Sequence, residues 1–152
     1  NLLDVSSFSE TMCGSSLFVT LKTDGGGIRY ADPDQWAKIL DIAKNTTAKN
    51  VFFAMSCPPE DFDDSAEAEL LNSVLSQNLF ERGINVYIIS EGSEKRITAK
   101  NGVRYINLPV LENITVSEFK DNSSFLDSLQ IIVDGEDTGY FFEALLEDCR
   151  IK

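Results

Sequence analysis

A chain of 152 residues with 43% hydrophobic side chains is long enough to build one core, and a domain of this size buries roughly 70% of its unfolded surface. Acidic residues outnumber basic ones 25 to 13, for a net charge of -12, so the field around the protein repels phosphodiester backbones and excludes nucleic acid as an expected partner. Histidine is absent, which removes histidine-based triads and the commonest neutral-pH base, and the longest apolar runs, such as residues 86–89, fall far short of the roughly 20 residues of a membrane-spanning helix. Cys13, Cys57 and Cys149 lie far apart with no C-x-x-C pair, and an odd count argues against a disulfide framework. Three reduced cysteines are expected; one bridge plus a free thiol is the alternative.

In chain order, the first sixteen residues are Ser-rich and weakly patterned, and residues 17–21 (LFVTL) read as a strand closed by Asp24-Gly25-Gly26-Gly27. A helix follows: Asp32 is placed to cap it, Pro33 suits its first turn, Gln35 stands where a capping box wants it, and Trp36, Ile39, Leu40 and Ala43 share one face. Residues 50–55 (NVFFAM), bounded by Pro58-Pro59, suit a strand buried on both faces. Asp64 and Glu67 open a second helix with Ala66, Leu70, Val74 and Leu75 as its buried stripe, ended by Gly83. Residues 85–90 (NVYIIS) form a third strand of the same kind as the second. Strand, helix, strand, helix, strand is the order of a parallel sheet with crossover helices. Beyond Glu91 short strands are expected at 96–99, 103–107, 114–119 and 125–133, with Asn101-Gly102 as a hairpin turn and Asp134-Gly135 as a second; residues 140–142 read as a last strand, with a helix over 140–146 as the alternative. The fold class is therefore α/β: a mixed β-sheet with crossover helices in residues 17–91 and an antiparallel C-terminal part, all in one domain.

Few motifs carry chemistry. The three glycines after Asp24 invite a phosphate-loop reading, since backbone amides in such turns cradle anions, but no G-K-[ST] follows and G-x-G-x-x-G is not matched. The acidic run Glu60, Asp61, Asp63, Asp64, Glu67 and Glu69 lacks the glycine and terminal glutamate of an EF-hand, because Ala66 and Asn72 stand there, and the helix macrodipole explains its placement. Asn45, Asn113 and Asn122 begin N-x-[ST] triplets and are read as loop residues. Cys57 has no histidine to activate it, and Glu60 and Asp61 oppose any lowering of its pKa, so it is read as a packing residue.

Met55-Ser56-Cys57-Pro58-Pro59, at the exit of a buried strand, resembles the turn that carries a His-His-Pro-Pro-type motif in calcineurin-like metallophosphoesterases. Gly92-Ser93-Glu94-Lys95, after the strand at 85–90, is similar to that family's Gly-His-x-His. Gly27-Ile28-Arg29, Asp32-Pro33-Asp34-Gln35-Trp36 and the segment 101–109 (NGVRYINLP) also resemble bacterial surface members, so the likeness spans roughly residues 17–109, with 110–152 as a C-terminal extension. The family's early Asp-x-His, Gly-Asp and Gly-Asn-His-Asp/Glu blocks have no counterpart. The resemblance thus implies the C-terminal half of a degenerate enzyme and a fragment of a larger protein.

Ser56, Cys57, Ser93 and Lys95 stand at the positions of lost family ligands, and neutral hydroxyls and an ammonium are poor substitutes for imidazole around divalent ions. No catalytic residue, metal ligand or cofactor is expected. What the resemblance implies instead is a non-catalytic phosphoesterase-like module of a bacterial surface protein, extracellular rather than cytoplasmic. Its expected partners are neighbouring domains of the same polypeptide, cell-wall glycan or another protein, met through loops that carry Asp24, Arg29, Glu60, Asp61 and Glu94. A specific form of that idea has Lys95 replacing the metals' positive charge and holding an anion. The competing expectation is a metal-dependent phosphodiesterase completed by another domain or chain, with Asp24, Asp61 or Glu94 as replacement ligands.

Overall fold

The computed structural model describes residues 7–92, 95–109, 127–134 and 137–144. The apolar segments at 17–21, 50–55 and 85–90 become β2 (Ser16–Leu21), β3 (Asn50–Met55) and β4 (Asn85–Gly92), paired in parallel and in straight register, so that Leu21, Met55 and Ser90 lie in one row. Three helices bridge them. The short α1 (Ile28–Ala31) and α2 (Gln35–Asn45) lead from β2 to β3, and α3 (Ser65–Asn78) leads from β3 to β4.

Beyond β4 the chain forms β5 (Arg96–Lys100), turns at Asn101-Gly102, and returns as β6 (Val103–Pro109) in the gap between β4 and β5. Asn101 and Gly102 both have positive φ, 51° and 81°, as the two-residue hairpin turn expected from their sequence demands. β6 is antiparallel to β5 but parallel to β4, so the parallel core has four strands.

The described sheet has six strands in the order β1-β2-β3-β4-β6-β5, and the protein is an α/β fold. β1 (Ser9–Cys13), antiparallel to β2, lies inside the N-terminal stretch that reads as weakly patterned. All five of its residues are exposed, so it lacks the alternation that betrays a half-buried strand.

α2 and α3 pack on each other and on one face of the sheet. Leu17, Val19, Leu21, Val51, Phe53, Met55, Val86, Ile88 and Val103 from the strands meet Ile39, Ile42, Ala43, Leu71 and Leu75 from the helices in one buried cluster. Burying each large side chain of this kind contributes about 1.5–3 kcal/mol. The opposite face carries a ladder of stacked rings, Phe18 to Phe52 at 5.0 Å and Phe52 to Tyr87 at 4.8 Å, with the Arg104 guanidinium over Tyr87.

Both helices depart in detail from the hydrophobic pattern. In α3 the inward residues are Glu67, Leu71, Asn72, Leu75 and Ser76, whereas Ala66 and Leu70 of the expected stripe are exposed and Val74 is half-buried. Three polar side chains occupy inward positions, and their hydrogen bonds explain why. In α2, Leu40 is exposed and Ile42 is buried. The helix begins at Gln35, and Asp32 accepts from the amide of Asp34 instead of capping it. Gln35 is fully buried; its amide accepts from Lys22 N and donates to the Lys22 and Asp32 carbonyls, which fastens the start of α2 to the end of β2. Asp64 does cap α3 by accepting from Ala66 N. Gly83 ends a 3-10 turn (Phe80–Arg82) that prolongs α3.

The chain divides into two compact units, Asn1–Val110 and Leu111–Lys152. In the second, β7 (Asp127–Asp134) and β8 (Asp137–Ala144) form an antiparallel pair with Ile131 opposite Tyr140, so residues 140–144 are strand. The strand expected at 114–119 and Gly135 lie outside the described residues. Among the described residues no helix is long and apolar enough to cross a membrane.

Candidate functional site

Parallel register brings the carboxyl ends of β2, β3, β4 and β6 to one edge of the sheet, where the sequence placed most candidate residues. Two polar clusters form there. In the first, Thr23 and Asp24 from the end of β2 meet Ser56 and Cys57 from the end of β3. Ser56 Oγ donates to Asp24 Oδ1 at 3.0 Å, and Thr23 Oγ1, fully buried, accepts from the Cys57 amide at 2.9 Å and lies 3.3 Å from Ser56 Oγ. In the second, buried Ser90 donates to Asn107 Oδ1 at 3.0 Å, Asn107 Nδ2 donates to Glu60 Oε1 at 2.7 Å, and the Arg96 guanidinium pairs with the same carboxylate oxygen.

Of the positions matching lost ligands, Ser56 and Cys57 are thus held within the protein's own hydrogen bonds. Lys95 is exposed immediately before β5, and Ser93 and Glu94 lie outside the described residues. Asp61 is exposed, and its carbonyl, like that of Pro58, lies 3.7 Å from the Cys57 sulfur. Burial pushes the Cys57 thiol above its ordinary pKa, and the carboxylates of Asp61, Asp63, Asp24 and Glu60 push it the same way. A thiol so placed is a poor nucleophile at neutral pH. Among the described residues no group of three His, Cys, Asp or Glu side chains is arranged to hold a metal ion.

The glycine turn holds an anion of its own. Glu67 is 4% exposed, and its Oε1 accepts from the Arg29 amide at the head of α1 (2.8 Å) and from the Trp36 indole (2.7 Å). Gly27 has φ 151°, and a Cβ there would collide with Glu67 Oε2; one at Gly26 would strike the Asp63 carboxylate. Gly26 O also accepts from the Asp63 amide at 2.8 Å. The anion-cradling geometry suggested by consecutive glycines is therefore filled by a side chain of α3, and Arg29 enters it through its backbone.

Sequence reasoning missed Thr23, Gln35, Glu67 and Asn107 as organisers of this edge. The one available signal was Trp36, since a half-buried indole N–H on a core-facing helix stripe calls for an acceptor and Glu67 belongs to the neighbouring helix.

Topology bears on binding as well. β2, β3 and β4 follow one another in a single direction across the sheet, so both connecting regions lie on one face. The described strands therefore have no switch point at which adjacent loops leave to opposite faces and open a crevice. No protein-family model matches the sequence, and comparison with curated proteins and with solved structures found no match.

Proposed function

We propose that this chain is a non-catalytic, phosphoesterase-like module of a larger bacterial surface protein, working through packing against neighbouring domains or recognition of a protein or glycan. The observation that carries the reading is the closure of Ser56 and Cys57 onto Thr23 and Asp24, together with a thiol whose pKa is raised. A hydrolytic centre in this family type exposes ligands to two ions and a phosphate, whereas hydroxyls bonded to protein partners are already satisfied. The resemblance of residues 55–59 and 92–95 to metal-binding turns supplies the ancestry.

The test is metal analysis of the purified protein, with turnover of bis(p-nitrophenyl) phosphate measured in added manganese, zinc or iron. The reading expects no stoichiometric metal and no turnover above buffer. Stoichiometric metal with turnover that Asp24→Asn abolishes would replace it with a metal-dependent phosphodiesterase.

A further inference from the structure

The two edges of the sheet are built differently. β5 carries Arg96 and Lys100, which pair with Glu60 and Glu69, and charged side chains on an edge discourage addition of another strand. β1, the last described strand at the other edge, has fewer of these devices. It is regular, pairing residue for residue with β2 from Ser9↔Thr20 to Cys13↔Ser16; it lacks proline and lysine, and Glu10 is its one charge.

Beside β1 runs an open trough of about 390 Å³ whose floor includes Leu17, Ile42 and Met12 and whose rim includes Glu10, Asp41 and Asn45. Glu10 and Met12 stand opposite Val19 and Leu17, both in the helix-side core, so β1 turns these two side chains toward α2. Met12 is 51% exposed. Both charges lining the trough are negative.

We propose that the outer edge of β1, unpaired among the described residues, is a docking site for an extended polypeptide segment of the partner whose helix-facing positions, every second residue, carry basic and apolar side chains in turn. Backbone groups of that segment pair with β1 and add a seventh strand to the described sheet. On the helix side its apolar groups cover Met12 and Leu17, and its basic groups meet Glu10 and Asp41. Charge selects the occupant: a second copy of this chain, at -12, brings like charge to an already acidic rim, whereas a cationic strand is attracted to it. The inference deepens the recognition half of the proposed function by giving the partner's chemistry.

The experiment titrates a fluorescent peptide of repeating Lys-Thr-Val-Thr, which brings lysine and valine in turn to one face, into the protein at low salt, reading anisotropy and hydrogen exchange of the Ser9–Cys13 amides. The account expects saturable binding with slowed exchange in β1. Affinity should fall at least about tenfold in Glu10→Lys/Asp41→Lys, and binding should vanish when alternate peptide amides are N-methylated. Absence of binding at millimolar peptide overturns the proposal, as does binding indifferent to either change. So does protection of β1 without peptide, which would mean a second copy if it depends on protein concentration and a segment of the same chain if it does not. The metal and turnover measurement stands independently of all these outcomes, so failure of the docking site and failure of the non-catalytic reading are separable.

Discussion

α3 fastens two turns, and it does so with different chemistry at its two ends. Near its start, one carboxylate oxygen of Glu67 receives both the Arg29 amide and the Trp36 indole, holding the glycine turn with a buried charge. Farther along, neutral groups share the task. Asn72 Nδ2 donates to the Lys100 carbonyl and to Tyr105 Oη, Asn101 Nδ2 donates to Asn72 Oδ1, and Ser76 donates to the Asn101 carbonyl. The first arrangement concentrates its strength in a single acceptor, which leaves two donors stranded when it is lost. The second divides it among four bonds; the one to Tyr105 is buried, and the other three lie beside the hairpin, where water can replace a missing partner.

The largest predicted effect is at the charged end. Glu67→Ala should destabilise the protein by about 3 kcal/mol in urea unfolding, because two part-buried donors lose their one buried acceptor together. Glu67→Gln keeps one acceptor oxygen and should lose about half as much. Equal losses for the two would mean that the charge itself, rather than hydrogen-bond acceptance, secures the turn.

At the neutral end, Asn72→Ala should lose about 1–2 kcal/mol, with faster amide exchange confined to β5 and the turn at Asn101. A loss as large as that of Glu67→Ala would erase the contrast between the two ends.

A smaller effect separates the regions by pH. Burial raises the pKa of Cys57, with nearby carboxylates adding to it, and burial likewise raises that of Tyr105, against a hydrogen bond from Asn72 and with help from Glu69 and Glu60. The folded state therefore keeps protons that the unfolded chain releases. The stabilisation is complete below the unfolded-state pKa and declines as pH rises through the folded-state value. Unfolding free energy should begin to fall above about pH 8.5 through Cys57 and continue to fall above about pH 10 through Tyr105. Cys57→Ser should remove the earlier decline and leave the later one.

The smallest effect is kinetic. Cys13 is exposed and Cys57 half-buried among carboxylates, so iodoacetamide followed by peptide mass mapping at pH 7.5 should label Cys13 well before Cys57. Faster labelling of Cys57 would point to an activated thiol at the sheet's carboxyl edge.

How far these features could be read beforehand follows from how they are made. The runs at 50–55 and 85–90 announced themselves because strands buried on both faces need nearly continuous apolar side chains, and Asn101-Gly102 because few residues accept its backbone angles. The inward stripe of α3 was misplaced since Glu67, Asn72 and Ser76 face the interior to make hydrogen bonds, which a hydrophobic pattern scores as solvent. β1 gave no signal because both of its faces are wet. Ser56 and Cys57 were legible as residues at a strand exit, but their closure onto Thr23 and Asp24 was not, because contacts across 32 to 34 residues depend on the register that sets Leu21 beside Met55.

The central claim is that the carboxyl edge of this sheet satisfies itself rather than holding a reactive ion. It is tested most directly by a crystal structure grown in millimolar manganese and phosphate. The account predicts Ser56 Oγ still about 3.0 Å from Asp24 Oδ1, with no ion between the strand ends. Manganese coordinated by Asp24, with Ser56 swung away from it, would contradict the account.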